Sequence, residues 1–184
     1  MVNSDVNPKL IKFLKEDIRQ YQAKLFGLDF IETHGFNLPD LLEYSHYPDT
    51  QVSFRAAWLL EHVCIKEPSL IPDIYDVFIN RLTEQKHWGT IRSYTKIAML
   101  ATHTKTAVRH TDEQEEILIE RCFNWLINPG CPVAVVVNCL DILYNLRKRN
   151  PWIEEELKAQ IRHLLKTPTP ALASRANRIM KRIS

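Results

Sequence analysis

A turn followed by an amphipathic helix recurs in this chain about every 40 residues, and such units become stable only by stacking on one another. Three stretches align: Pro48–Val63, Pro129–Tyr144 and Thr167–Ile183, each a proline-bearing turn and then a helix-forming run. Their apolar positions share one spacing: Val52, Ala56, Leu59 and Val63; Val133, Val137, Leu140 and Tyr144; Leu172, Ala176, Ile179 and Ile183. Offsets of 0, +4, +7 and +11 keep side chains on one helical face. Val52 and Val133 stand 81 residues apart, which leaves room for one further copy. Ile91 and Ala98 supply it, with Thr95 and Thr102 at +4 and +11, so this copy is the polar one. The four anchors are then 39, 42 and 39 residues apart.

Each interval holds a second amphipathic helix. Residues 69–85 carry Leu70, Ile74, Val77, Phe78 and Leu82, with Ser69 as the predicted N-cap and Pro72 in the first turn. Residues 112–128 carry Ile119, Cys122, Phe123, Leu126 and Ile127, opened by a Thr111/Gln114 capping box. Residues 151–166 carry Ile153, Leu157, Ile161 and Leu164, with Pro151 at the first helical position. Acidic residues crowd the starts of the latter two helices, as the helix dipole favours. Residues 8–31 read as one or two helices, and 38–44 as the helix before the Pro48 turn. The expected organisation is one domain over 1–184: an N-terminal cap or degenerate repeat (1–47), repeats over 48–86, 87–128 and 129–167, and a terminal helix over 168–184.

Only four glycines occur, too few for the turns of a many-stranded β fold or for a glycine-rich phosphate loop. The predicted class is all-α. The four cysteines, Cys64, Cys122, Cys131 and Cys139, form no C-x-x-C pair and all sit beside apolar residues, which predicts buried free thiols. Met1 to Leu10 is polar, and no apolar run approaches bilayer length, so the chain reads as soluble and cytoplasmic, with no membrane partner. The formal charge of +2 conceals an asymmetry. Residues 1–146 carry 14 Lys and Arg against 19 Asp and Glu, whereas residues 147–184 carry 10 against 3.

The segment from Leu41 to Glu61 resembles a HEAT repeat: Pro48 and Asp49 form the turn, and Val52, Arg55, Ala56 and Ala57 open the next helix. The family usually places the arginine beside the valine, and here it stands three residues later. As a periodicity the resemblance covers 38–184. It implies a right-handed α-α superhelix, a HEAT-like or armadillo-type solenoid of antiparallel hairpins with one helix row available for binding.

No residue pattern points to catalysis. His62 and Cys64 lie two apart and His103 and His110 seven apart, with no third and fourth ligand at recurrent spacing, so no metal or cofactor is assigned. Glu113, Glu115, Glu116 and Glu120 read as a solvated helix face. Asp141 occupies the position of Leu60, Met99 and Met180 in the other copies, with Asn138 and Asn145 a turn to either side. A buried carboxylate there needs a partner, expected in Arg92 or Lys96 on the neighbouring helix. Trp58, Trp88, Trp125 and Trp152 are expected to pack in the core, although Trp88, with His46, Tyr47 and His87, forms a candidate aromatic contact edge.

A basic end comprises Arg147, Lys148 and Arg149 together with Arg175, Arg178, Lys181 and Arg182. Arg175, Arg178 and Arg182 share one face, which serves either as a polar cap for the terminal repeat or as a site for an anionic partner. The candidate partner-binding residues are therefore Arg147, Lys148, Arg149, Arg175, Arg178, Arg182, Tyr47 and Trp88. The function expected first is a non-enzymatic scaffold binding a protein partner. A second expectation is nucleic-acid binding, through a resemblance to the HEAT-like glycosylases of alkylated DNA; Trp58, Arg92 and Asp141 stand for the aromatic and acidic residues of their groove. A third resemblance, to small bacterial chains that bear the name adenylosuccinate lyase, implies that activity. This sequence lacks the Met-Pro-x-Lys-x-Asn-Pro motif of that enzyme.

Overall fold

The computed structural model describes residues 7–106 and 108–183. The polar stretch from Met1 therefore lies largely outside the described residues. Ten α-helices and three short 3-10 turns account for the regular structure among them. The N-terminal part contributes α1 (Pro8–Lys15) and α2 (Leu28–Thr33). Gly35, at φ +77°, ends α2. There the amides of Gly35 and Phe36 close back onto the Glu32 and Ile31 carbonyls, an arrangement that favours glycine.

Eight helices follow as α3 (Leu38–Tyr44), α4 (Thr50–Lys66), α5 (Ile71–Glu84), α6 (Trp88–Ala101), α7 (Asp112–Leu126), α8 (Val133–Leu146), α9 (Ile153–Leu164) and α10 (Pro170–Ile183). They pack as two rows. In row A, α3 touches α5 and α5 touches α7, while α9 takes the next place by alternation and packs on α8 and α10. In row B, α4, α6, α8 and α10 stack in sequence, and α1 packs on the free side of α4. Short turns make hairpins of α3 with α4, α5 with α6, α7 with α8 and α9 with α10. The last helix is thus paired, resting on both α8 and α9.

The core lies between the rows. Val52, Ala56, Leu59 and Val63 are fully buried, and Leu172, Ala176, Ile179 and Ile183 nearly so. On α8 the expected face is displaced. Val133, Val137 and Tyr144 are only half-buried, while Val135, Cys139, Leu140, Ile142 and Leu143 are sealed. This helix touches α6, α7, α9 and α10, and its first five residues are all apolar, so they give no phase to read. Val77 and Ile127, assigned to apolar faces from spacing, are exposed. Trp152 is exposed as well, one face stacked on Phe123 at 6.0 Å.

The Thr111/Gln114 capping box forms as expected. Two other helix starts differ. Ser69 lies in a 3-10 turn, and α5 begins at Ile71 without a side-chain cap, while Pro72 does occupy its first turn. Pro151 lies in the turn before α9, which starts two residues later. Gly89 permits close packing between neighbouring row-B helices, since a Cβ there would stand 2.7 Å from the Phe54 ring.

Candidate functional site

Three polar locks hold row B in register. Between α4 and α6, buried Glu61 accepts from Ser93 Oγ at 2.6 Å and pairs with Arg92 at 3.2 Å. Between α6 and α8, Asn138 Nδ2 donates to Thr95 Oγ1 at 3.1 Å and Asn145 Nδ2 to Thr102 Oγ1 at 3.2 Å. The two pairs are one heptad apart on each helix, so the threonines that made the second copy look polar are partnered inside the stack. Between α8 and α10, Asp141 pairs with Arg175, and Arg178 stands 3.9 Å away. This replaces the partner expected from the sequence. Arg92 is committed to Glu61, and no described ion pair joins Lys96 to Asp141.

Three row-B helices leave a half-buried stripe beside these locks. On α4 it runs through Gln51, Arg55, Trp58 and His62; on α6 through Trp88, Arg92, Lys96 and Met99; on α8 through Val133, Val137 and Tyr144. On α10 Arg175 is half-buried, and Arg178 and Arg182 are exposed. The four row-B helices carry eight Lys and Arg against two Asp and Glu. The four row-A helices carry four against thirteen. One row is therefore basic and the other acidic, a polarity that the net charge hides.

The structure places the expected partner-binding residues in several different settings. Arg147 is largely internal: its guanidinium lies 3.8 Å over the Tyr144 ring and its Nε is 3.6 Å from Glu154. Arg149 reaches Asp112 at 3.3 Å and Glu115 at 2.8 Å. Glu115 is buried, not part of a solvated face, and its other oxygen accepts from Asn150 at 2.8 Å. Lys148 and Arg182 are exposed and appear in no described ion pair.

Tyr47 and Trp88 are half-buried, with Tyr47 stacked on Tyr44 at 5.5 Å. His46 is turned inward, its Nε2 donating to the Arg81 carbonyl at 2.9 Å, while His87 is exposed. No described ring contact joins the Tyr47 and Trp88 turns.

Trp58, Arg92 and Asp141 stand on three successive row-B helices, each tied to a different neighbour. Trp58 meets the Phe26 and His62 rings edge-on at 5.1 and 5.2 Å. Arg55, within the repeat-like motif, donates from Nη1 to the Leu14 and Lys15 carbonyls at 2.7 Å each, capping the C-terminus of α1. Asp49 caps α4 through the Gln51 and Val52 amides and pairs with Lys15 at 2.6 Å, which holds its carboxyl below the usual range.

Among the described residues no group of three or more His, Cys, Asp or Glu side chains is placed to hold a metal ion. No described helix is long and apolar enough to cross a membrane. Cys64, Cys122 and Cys139 are buried and Cys131 is half-buried, all as free thiols. Burial pushes the Cys64 thiol up to about 12 and that of Cys131 up to about 11, so neither is a ready nucleophile. Row B thus sets cations, several of them paired with Glu61 and Asp141, among half-buried aromatic and thioether side chains. A family model described as a HEAT repeat domain matches residues 28–183. No curated protein and no solved structure matches the chain.

Proposed function

Since this chain belongs to the HEAT repeat domain family, we propose that it is a non-enzymatic helical-repeat scaffold that binds an acidic protein segment along row B. The observation that carries the reading is the separation of charge between the rows. A basic row that leaves Trp58, Met99 and Tyr144 half-buried combines steering charge with side chains that supply contact energy in protein interfaces.

The same eight cations favour a second reading, a nucleic-acid backbone. Against it, Arg92, Arg175 and Arg178 already face Glu61 and Asp141, which leaves a sparse set of uncommitted cations for successive phosphates.

The test is an affinity capture from native lysate with the wild type and with Lys96→Glu/Arg182→Glu, two positions with no described carboxylate partner. A protein retained by the wild type and lost by the variant supports the reading; retention by both overturns it. Binding to duplex DNA that weakens steeply with salt would replace it with the nucleic-acid reading.

A further inference from the structure

An open cleft of about 350 Å³ lies where the N-terminal segment meets α4, lined by Ile18, Arg19, Tyr21, Phe54, Arg55 and Trp58. Its chemistry is unusual for a structural gap. Two guanidinium groups converge on one neutral atom: with the Gln51 amide oxygen turned toward them, it accepts from Arg19 Nη2 at 2.7 Å and from Arg55 Nη2 at 2.9 Å. That orientation is the one in which the oxygen faces donors. The other partners of Arg55 are the Leu14 and Lys15 carbonyls, also neutral. Neither arginine pairs with a carboxylate among the described ion pairs, and Asp49 nearby on the chain is taken by Lys15.

Like charges in a partly buried wall repel, and each raises the cost of the other. The Arg55 guanidinium is accordingly held below its ordinary pKa, first by burial and then by the charge of Arg19. An anion seated between them relieves that repulsion and completes the hydrogen bonding of the two planar forks. Tyr21, Phe54 and Trp58 meanwhile present ring surface to the same space. A bare inorganic anion would use the cations and leave the rings idle.

We propose that this cleft is a binding site for an aromatic carboxylate, its carboxyl group held by Arg19 and Arg55 and its ring packed among Tyr21, Phe54 and Trp58. That chemistry has two natural sources: the C-terminus of a peptide ending in an aromatic residue, or a free aryl-alkanoic acid. The site shares Gln51, Arg55 and Trp58 with the α4 end of the row-B stripe and adds Arg19 and Tyr21 from the N-terminal segment, whereas Lys96 and Arg182 stand further along the row on α6 and α10.

The test titrates the 184-residue chain with N-acetyl-phenylalanine, N-acetyl-phenylalanine amide, 3-phenylpropionate and acetate. Calorimetry reads affinity, and the Trp58 indole N–H resonance reads location, assigned with Trp58→Phe. Saturable binding of the aromatic acids with a dissociation constant of about 0.1–1 mM is expected, as suits a ligand of this size. Arg19→Gln, which removes a guanidinium whose one described bond is to Gln51, should weaken it about tenfold. Lys96→Glu/Arg182→Glu should bind as the wild type does, which separates this site from the row-B reading.

Preference for the acylated amino acid assigns the site to a peptide terminus, and parity with 3-phenylpropionate assigns it to a free acid. Equal binding of the amide, equal binding of acetate, an unchanged Arg19→Gln, or no saturable shift up to ~10 mM each overturns the proposal.

Discussion

Asp141 offers a direct test of how row B is held together, because removing the two sides of its ion pair should give unequal results. The carboxylate stands where the other row-B helices place Leu60, Met99 and Met180, and its side chain is 12% exposed. Arg175 is its main partner and Arg178 lies at 3.9 Å. Arg175→Ala leaves the acid in that setting with only the distant arginine. Breaking a fully buried pair costs roughly 3–5 kcal/mol and an exposed one about 0–1. With Arg175 29% exposed and Arg178 still in reach, the expected cost is about 1.5–3 kcal/mol.

Asp141→Leu removes the buried charge itself. It frees two guanidiniums that rehydrate through exposures of 29% and 49%. It also restores the apolar residue of the other copies. Its net effect should fall within about 1 kcal/mol of zero. The assay is urea unfolding followed by far-ultraviolet circular dichroism and tryptophan fluorescence, whose transitions must coincide because stacked repeats can uncouple. For a domain of this size Arg175→Ala corresponds to a loss of about 4–10 °C in Tm. The double variant should match Asp141→Leu alone. If Asp141→Leu costs as much as Arg175→Ala, the pair stabilises the fold as a unit and the reasoning fails.

Two further outcomes follow from buried titratable groups. In His110 the Nε2–H donates to the Ala101 carbonyl at 3.2 Å, and Nδ1 accepts from the Tyr75 hydroxyl at 2.7 Å, so the bonded ring is the neutral one. Burial lowers its pKa below 6.5, as it does that of His62, so unfolding takes up a proton once the pH falls below that value. The stabilisation is full above pH 6.5 and is lost as the pH falls through the folded value; His110→Gln should flatten that loss in urea midpoints measured from pH 7 to ~5, and parallel declines would contradict it. Cys131 is the half-buried thiol beside three buried ones, so a disulfide-exchange reagent should modify one equivalent slowly in the native protein and the rest only in denaturant. Cys131→Ser should abolish that phase, and a second native thiol reacting as fast would refute the burial assignment.

The repeat was legible because three of its four anchor sets obey one rule. Val52, Ile91 and Leu172 each begin a buried stripe at helical spacing, and polar residues between the stripe positions, such as Gln51 and Arg55, Arg92 and Lys96, or Arg175 and Arg178, fix its phase. The α8 run Val133-Ala-Val-Val-Val has no polar face to fix its phase, and its true core positions became visible only through its four packing partners. Caps followed the same logic. The Thr111/Gln114 box is a local exchange of two bonds and was readable. Ser69 and Pro151 are good cap and first-turn residues that the chain uses in the preceding turns, a choice set by where α5 and α9 must enter the stack.

Charge showed the deeper difference between sequence order and spatial order. Counted along the chain, cations collect at the C-terminal end, which suggested a basic patch made of Arg147, Lys148, Arg149 and the last helix. In the fold, Arg147 and Arg149 close the α8–α9 turn onto Glu154 and Glu115, while Arg175 and Arg178 face Asp141. Cations less conspicuous in the sequence, Arg55, Arg92 and Lys96, join the last helix across the stack because alternate helices return to the same row. A hairpin repeat thus sorts residues by parity of helix. The charge difference that matters for an incoming anion is the one between rows, about 10 Å apart by helix packing, over which a field of this kind is only partly screened at physiological salt.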